Sequence, residues 1–595
     1  MTTAHAQANP LDTLQRVFGF PAFRGMQEAV VRRVLGAQRT LAVMPTGAGK
    51  SLTYQLPAVM LPGTVVVISP LIALMHDQLR SAEAVGIRAA TLTSVDSDRA
   101  ETVRRLLAGE LDLLYVAPER ASTSAFRDLL AHVPVALFAI DEAHCLSEWG
   151  HDFRPDYRAL GPLLDTFAGT PRLALTATAD THTRSDILAL LGIPAEGLII
   201  AGFDRPNIRY AIHPRDGMTR QIVERVSAIG GAGIVYAQTR DATEALAAAV
   251  AASGRPTRVY HAGLSPDMRA AHQAAFVASE DMVMCATIAF GMGIDKPDVR
   301  FVVHAGLPKS IEAYYQETGR AGRDGDPAEA HCYWGATDFA KARQRLGEVP
   351  ESRRAGERAR LASLAVLVEA PACRRAILLR HFGEDPPERC GNCDNCISAP
   401  QVTNASVLAQ KMLSAVYRTG QSFGVSHIVN VLTGNADERI AQRGHDQLSV
   451  HGIVGPDEAP LLRPLARTLL ARDALAETEH GGLMLGPAAR AILKGEAGVE
   501  LVAPPARERR RKGTRKSGGG PNPIGDPLFD ALRAIRRELA AEAGVPPYVI
   551  FHDSVLRDMA GFKPSTRAAL AELPGVGQRK LEAWGDAFLA VIRQH

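Results

Sequence analysis

Two adjacent carboxylates, Asp141 and Glu142, follow the apolar run VALFAI at 135–140. Side by side they can divide two tasks: one holds Mg²⁺ through its waters, and the other polarises a water for attack on a phosphate. Within a dozen residues the chain adds Trp149, His151, Phe153 and Arg154. Aromatic rings mixed with a basic residue suit stacking on bases and contact with phosphate. Upstream, MPTGAGKS occupies 44–51. Gly47 and Gly49 let backbone amides approach phosphate oxygens, Lys50 reaches the β- and γ-phosphates, and Ser51 ligates Mg²⁺. Further on, Arg320 and Arg323 lie three apart, on one face if their segment is helical. An arginine placed in trans to a phosphate loop can neutralise charge developing on the γ-phosphate. Four cysteines, Cys373, Cys390, Cys393 and Cys396, can enclose one Zn²⁺ tetrahedrally. An iron–sulfur cluster is the competitor, and the remote fourth ligand with no second cysteine set favours zinc.

These groups need elements to hold them. VALFAI is long enough for a buried parallel strand and too short for an independent helix, so it delivers the carboxylate pair to the carboxyl end of a sheet. LAVM (41–44), VVVISP (65–70), LDLLYVAPER (111–120) and RLALTATA (172–179) are further strand candidates separated by helical patterns. They predict βαβ units in a parallel sheet. A second set of strands, GIVYAQTR (233–240), TRVYHAGL (257–264), DMVMCATIAF (281–290), RFVVHAGLP (300–308) and AEAHCYWG (328–335), predicts a second sheet domain without its own glycine-rich phosphate loop. The inferred arrangement is a cleft between two sheet domains that ATP closes and hydrolysis opens.

The chain has 595 residues, enough for several domains, with 46% hydrophobic residues. A net charge of +3 is nearly neutral, so any nucleic-acid footprint must be local. The N-terminus lacks the basic and apolar regions of a secretory signal, and no apolar run approaches a membrane span. Seven cysteines with one tight cluster point to a metal site in a reducing compartment rather than to disulfides.

DEAH followed by WGHDFRP closely resembles the RecQ family of DNA helicases, in superfamily 2, and the resemblance runs from about residue 11 to the end. It implies two tandem RecA-like parallel-sheet domains, a zinc-binding module, a winged-helix domain and a small all-helical HRDC domain. The expected boundaries are 1–202, 203–338, 339–400, 401–502, a basic linker at 503–525, and 526–595. FGFPAFRGMQ (18–27) resembles the family's adenine motif: Phe20 stacks on the base, Gln27 bonds its edge and Arg24 supports them. Residues 46–51 satisfy the family's TGxGKS form from Thr46, with Ala48 departing from its usual glycine. The resemblance also makes His144 part of the hydrolytic motif, Arg323 the arginine finger and Arg320 a second phosphate contact. Asp295 reaches the ribose and Gln316 the site's edge. Thr93 and Ser94 join Trp149, Phe153 and Arg154 as strand contacts, and LTATA couples hydrolysis to movement.

In the second half, RGHDQLSVHGIV (443–454) matches a winged-helix signature, and ALAETEHGGLMLG (474–486) is the wing candidate. The wing tip holds His480 and no aromatic residue, so it either splits duplex or only packs against it. RERRRKGTRK (507–516) either holds nucleic acid electrostatically or is a solvated spacer. The turn Gly575-Val576-Gly577 resembles phosphate-gripping hairpins. The implied activity is a DNA-stimulated ATPase that moves 3′ to 5′ on single-stranded DNA and unwinds duplex in recombination, repair and the SOS response. Its partners are single-stranded and partly duplex DNA, with single-strand-binding and recombination proteins, in the cytoplasm at the nucleoid. Two alternatives stay open: a superfamily 2 RNA-dependent ATPase, and a nonenzymatic DNA-binding scaffold.

Overall fold

The computed structural model describes residues 9–70, 72–93, 96, 98–147, 154–290, 296–435, 438–478, 482–502 and 526–595. Ser94, Trp149, Phe153, Asp295, the wing tip with His480 and the basic linker lie outside the described residues.

The first lobe is a seven-stranded parallel sheet: β1 Thr40–Val43, β2 Thr64–Ile68, β3 Ala89–Leu92, β4 Leu113–Val116, β5 Val135–Ile140, β6 Arg172–Thr176 and β7 Leu198–Ile200, in the order 3-4-2-5-6-1-7. The strands are mainly apolar because helices cover both faces. Alternate residues feed opposite cores. Val66, Ile68, Phe138 and Ile140 point to one, and Val65, Val67, Leu137 and Ala139 to the other. β5 pairs with β2 on one side and β6 on the other, so Asp141 leaves the middle of the sheet. β1, which leads into the phosphate loop, pairs with β6 in register Val43 to Thr176. Parallel pairing thus gathers 44–51, 141–144 and 176–178 at one edge.

The second lobe is a six-stranded parallel sheet: β8 Ile208–Pro214, β9 Ala232–Ala237, β10 Thr257–Tyr260, β11 Val283–Ala286, β12 Val299–Ala305 and β13 Ala328–Trp334, in the order 10-11-9-12-13-8. The helix Ile311–Thr318 ends before Arg320. Residues 319–325 are turns, with Gly322 and Gly325 at φ +57° and +89°. The condition for a shared helical face is not met, and Arg320 and Arg323 lie on a turn instead. The helix stops at Thr318, and Gly322, left-handed between the two arginines, turns the backbone so that each takes its own direction.

A helical hairpin, Ala336–Leu346 and Glu351–Glu369, leads into the four-cysteine module. The winged-helix domain has its own core, built on helices Ser406–Arg418, Val425–Thr433 and Ala459–Ala471 with the antiparallel pair Leu475–Glu477 and Leu483–Leu485. Within the 443–454 signature, His445 is buried and meets His427 at 2.8 Å, while the His427 ring stacks on Phe423. That part of the signature packs the domain rather than facing solvent.

The C-terminal helical domain has a separate core and sits against both lobes. Arg536, 2% exposed, meets Glu280 of the second lobe at 2.6 Å, and Arg533 meets the same carboxylate. Arg557 pairs with Asp326. On the first lobe, Arg579 donates to the Ala84 carbonyl (3.2 Å), and a Cβ on Gly19 would meet the Gly577 Cα at 3.2 Å. The 575–577 turn thus lies against the adenine-motif segment. No helix among the described residues is long and apolar enough to cross a membrane.

Candidate nucleotide site and metal centre

The phosphate loop closes β1 and opens the helix Leu52–Met60. Gly47 and Gly49 have φ of +86° and +73°, where a side chain is strained, whereas Ala48 is not among the positive-φ residues. The departure from the usual glycine at 48 is therefore conformationally neutral. A Cβ on Gly49 would also fall 2.4 Å from the Gln27 amide nitrogen.

That contact shows what Gln27 does in this structure. Its Nε2 donates to the carbonyls of Ala48 (2.9 Å) and Gly49 (3.3 Å), and its Oε1 accepts from the Arg24 amide (2.9 Å). The amide is thus spent on the phosphate loop. Phe20, 40% exposed, and the exposed Arg24 remain open to solvent beside it.

Asp141 is buried, and its Oδ1 accepts from the Glu142 amide at 3.0 Å. Burial, and then the Glu142 charge, raise its carboxyl to about 6 against the pull of Lys50. Glu142 is held at φ 48°, ψ 46°, a left-handed conformation that a residue with a Cβ adopts only under constraint. Its Oε2 lies 3.3 Å from His144 Nδ1, which also meets Thr176 Oγ1 at 3.0 Å. Burial opposes charge on His144, but Cys145 and Glu142 outweigh it and raise the imidazole to about 10. Thr176 Oγ1 donates to the Thr178 carbonyl, and Gln316 Nε2 of the second lobe donates to Thr178 Oγ1 at 3.1 Å. One polar chain therefore runs from the carboxylate pair through β6 into the other lobe.

Arg323 reaches the first lobe directly: a Cβ on Gly47 would lie 3.3 Å from its Cγ. Arg320 is 8% exposed and sits beside the buried Tyr236. Arg154 donates to the Pro70 carbonyl (3.1 Å), tying the carboxylate loop to the end of β2.

Sequence reasoning missed Arg205. Its Nη1 donates to the carbonyls of Thr46 and Gly319 (3.0 Å each), and its Nη2 to those of Ala321 (2.8 Å) and Gly322 (2.9 Å). One guanidinium in the hinge thus binds the phosphate loop to the arginine turn. The only signal was its place in FDRPNIRY. Arg205→Ala leaves four carbonyls without this donor. It is expected to cost about 1.5–3 kcal/mol, and calorimetry should show the two lobes melting earlier. An unchanged melting profile would mean that water replaces the guanidinium fully.

The four cysteine sulfurs lie within 4.8 Å of one another, with 373–393 at 3.9 Å and 390–396 at 4.0 Å. A single Zn²⁺ about 2.3 Å from each sulfur sets them about 3.8 Å apart. A multi-iron cluster would hold them further apart. The module is fastened to the hinge: Arg375 Nη2 donates to the carbonyls of Arg205, Pro206 and Ile208, and Phe382 stacks on Phe203 at 4.6 Å.

Family models match nearly the whole chain in segments: DEAD/DEAH box helicase at 24–187, helicase conserved C-terminal domain at 218–325, RecQ zinc-binding at 336–397, RQC domain at 399–510 and HRDC domain at 526–592. The chain is 40% identical to the ATP-dependent DNA helicase RecQ of Haemophilus influenzae over 98% of this chain and 96% of that protein. It is 36% identical to the ATP-dependent DNA helicase RecQ of Bacillus subtilis over 98% of each. With the two-lobed motor, the four-cysteine module, the winged helix and the C-terminal helical domain all present, the chain belongs to the RecQ family of ATP-dependent DNA helicases.

Proposed function

We infer that this protein hydrolyses ATP in the cleft between its two lobes and uses the cycle to move 3′ to 5′ on single-stranded DNA, unwinding duplex in recombination and repair. The observation that carries this reading is the packing of Arg323, from the second lobe, against Gly47 of the phosphate loop in the first. A site whose parts come from two lobes turns a chemical step into a relative motion of those lobes.

In this reading the backbone of 46–51 and Lys50 hold the phosphates, and Ser51 and Asp141 hold Mg²⁺, which supplies charge neutralisation when bound. Glu142, kept in its strained conformation beside His144, orients and polarises the attacking water. Arg323 stabilises charge at the γ-phosphate, Arg320 contacts a second phosphate oxygen, and Gln316 reports the site's state to β6 through Thr178. Phe20, Arg24 and Gln27 take the adenine, which requires Gln27 to leave the phosphate loop. Asp295, outside the described residues, is assigned to the ribose. Cys373, Cys390, Cys393 and Cys396 hold Zn²⁺ as a structural ion, since four protein ligands leave no open position. The domain boundaries at 202, 338, 400, 502 and 525 belong to this proposal.

The test is ATPase activity without nucleic acid, with single-stranded DNA and with RNA of the same length. Stimulation by DNA well above RNA is expected; equal or preferential stimulation by RNA would favour an RNA-dependent ATPase.

A sharper consequence concerns Trp149, Phe153 and Ser94, assigned to the DNA strand and also outside the described residues. Trp149 and Phe153 follow Glu142 by seven and eleven residues in the chain, so in this reading a base stacked on them repositions the carboxylate. Trp149→Ala is expected to keep the basal ATPase rate and melting temperature, lose most stimulation by single-stranded DNA, and weaken DNA binding by only about 1–3 kcal/mol. A stable Trp149→Ala protein with a full DNA response would remove the coupling role.

A further inference from the structure

The helix Leu52–Met60 grows directly out of the phosphate loop, and its first turn grips the last two residues of that loop. The Thr53 hydroxyl donates to the Lys50 carbonyl (2.6 Å), and the Tyr54 and Gln55 amides donate to the Ser51 carbonyl (3.2 and 3.0 Å). A shift of this turn therefore carries Lys50 and Ser51 with it.

Behind the turn lies a polar cluster that none of the roles assigned above uses. Tyr54, Gln55, Gln78 and Tyr115 are all buried in the first lobe. Gln78 Oε1 accepts from the Tyr54 hydroxyl (3.5 Å) and from Gln55 Nε2 (3.4 Å). Gln55 Nε2 also reaches the Tyr115 hydroxyl (3.4 Å), and the Tyr54 and Tyr115 rings pack edge to face at 6.3 Å. These bonds are long, since such contacts are best at about 2.7–3.0 Å. Buried as they are, the groups have no bulk water to replace a lost partner. A small approach of the two sides strengthens the network, and an equal retreat leaves polar atoms bare.

Gln78 belongs to another helix, Ile72–Ala84. Two stretches assigned to the DNA strand hold that helix. Just before its start, the Pro70 carbonyl accepts from Arg154 (3.1 Å). Further along, His76 meets Asp96 (3.8 Å), and Asp96 accepts from the Thr93 amide. Two residues apart on a helix, His76 and Gln78 point to roughly opposite sides. One helix thus meets the strand-contact stretches with one side and the phosphate-loop turn with the other.

We propose that Gln78 is a positioning residue that couples strand binding to ATP hydrolysis. A strand held at 93–96 and at Arg154 shifts the helix Ile72–Ala84, and Gln78 passes the shift through Tyr54 and Gln55 to Lys50 and Ser51. The proposal rests on the assignment of Thr93, Ser94 and Arg154 to the strand. It is a second route to the ATP site, distinct from the one through Glu142, and it acts on the phosphate loop instead of on the attacking water.

The experiment uses the full-length protein with ATP and oligothymidylate, as wild type, Gln78→Met, Tyr54→Phe and the double variant. Each single variant removes one side of the Tyr54–Gln78 bond. Each is expected to lower the stimulation of turnover by oligothymidylate about 2- to 30-fold, with basal turnover and oligothymidylate affinity unchanged. Each also melts somewhat earlier, because a buried partner is left bare. The double variant separates coupling from folding. With both partners made apolar its melting temperature should return toward wild type, while its DNA response stays as low as in the single variants. Recovery of the DNA response together with the melting temperature would leave the network a purely structural role and overturn the proposal. So would a single variant whose basal and stimulated rates fall equally.

Hydrogen exchange locates the break. In the wild type, oligothymidylate is expected to change exchange at both 72–84 and 50–60. In Gln78→Met the change at 72–84 should remain and that at 50–60 should vanish. No change at 72–84 in the wild type would refute the strand assignment, and the proposal with it. A change at 50–60 that survives Gln78→Met would overturn the proposal alone and leave the strand contacts standing.

Discussion

Arg323→Ala is expected to slow ATP turnover at saturating ATP and DNA by about 10³- to 10⁵-fold, with a much smaller change in ATP affinity. The expectation rests on position. Arg323 leaves a turn that follows the helix and contains Gly322 and Gly325 in left-handed conformations, and its stem lies against Gly47 of the phosphate loop. A cation delivered there from the other lobe meets charge that grows on the γ-phosphate only as the bond breaks, so it contributes chiefly to the transition state. Steady-state kinetics separate the two cases. A collapse of ATP affinity with turnover at saturation preserved would make Arg323 a ground-state binding residue. Arg205→Ala supplies the contrast: it loosens the link between Thr46 and the arginine turn without removing the charge at the phosphate, so its kinetic loss should be far smaller.

The sequence made the grouping of these residues legible because each group is set locally. The carboxylate pair sits at the end of one apolar run, the phosphate loop at the end of another, and parallel pairing of β1 and β5 with β6 brings them together. The cysteine spacing likewise anticipates four sulfurs within reach of one ion. What stayed hidden are pairings that no periodicity marks. Gln27 spends its amide on Ala48 and Gly49, and Arg205 ties 46 to 319–322. Glu280 holds Arg533 and Arg536 from more than 250 positions away in the chain. Each joins polar side chains that look like ordinary surface residues in isolation. For Arg320 and Arg323 the spacing left the geometry open for a different reason: three residues imply a shared face only if the backbone stays helical, and the intervening glycine takes φ +57°.

Cys393→Ser, or removal of the metal by a strong chelator, is expected to unfold 373–396 and to slow the motor from a distance. Cys393 is fully buried between Cys373 and Cys396, and the short helix Asp394–Ile397 begins at the next residue. Structural zinc contributes about 10–16 kcal/mol of apparent binding free energy in small modules, more than the stability of many whole domains. One missing sulfur therefore removes most of what orders this loop. Three links carry the damage to the hinge. Arg375 loses its hold on the carbonyls of Arg205, Pro206 and Ile208, Asn392 releases Pro206, and Asp394 releases the Ile212 amide. The Phe382 ring, stacked on Phe203, then loses the frame that keeps it there. With the hinge freed, Arg205 no longer holds the arginine turn against the phosphate loop, so DNA-stimulated turnover should fall together with zinc content. Metal analysis, limited proteolysis across 373–396 and ATPase measured on the same preparation test the sequence of events. Iron with acid-labile sulfide in the wild-type protein would replace zinc as the resident group. Full zinc loss with normal turnover and an intact 373–396 segment would show that the hinge stands without the module.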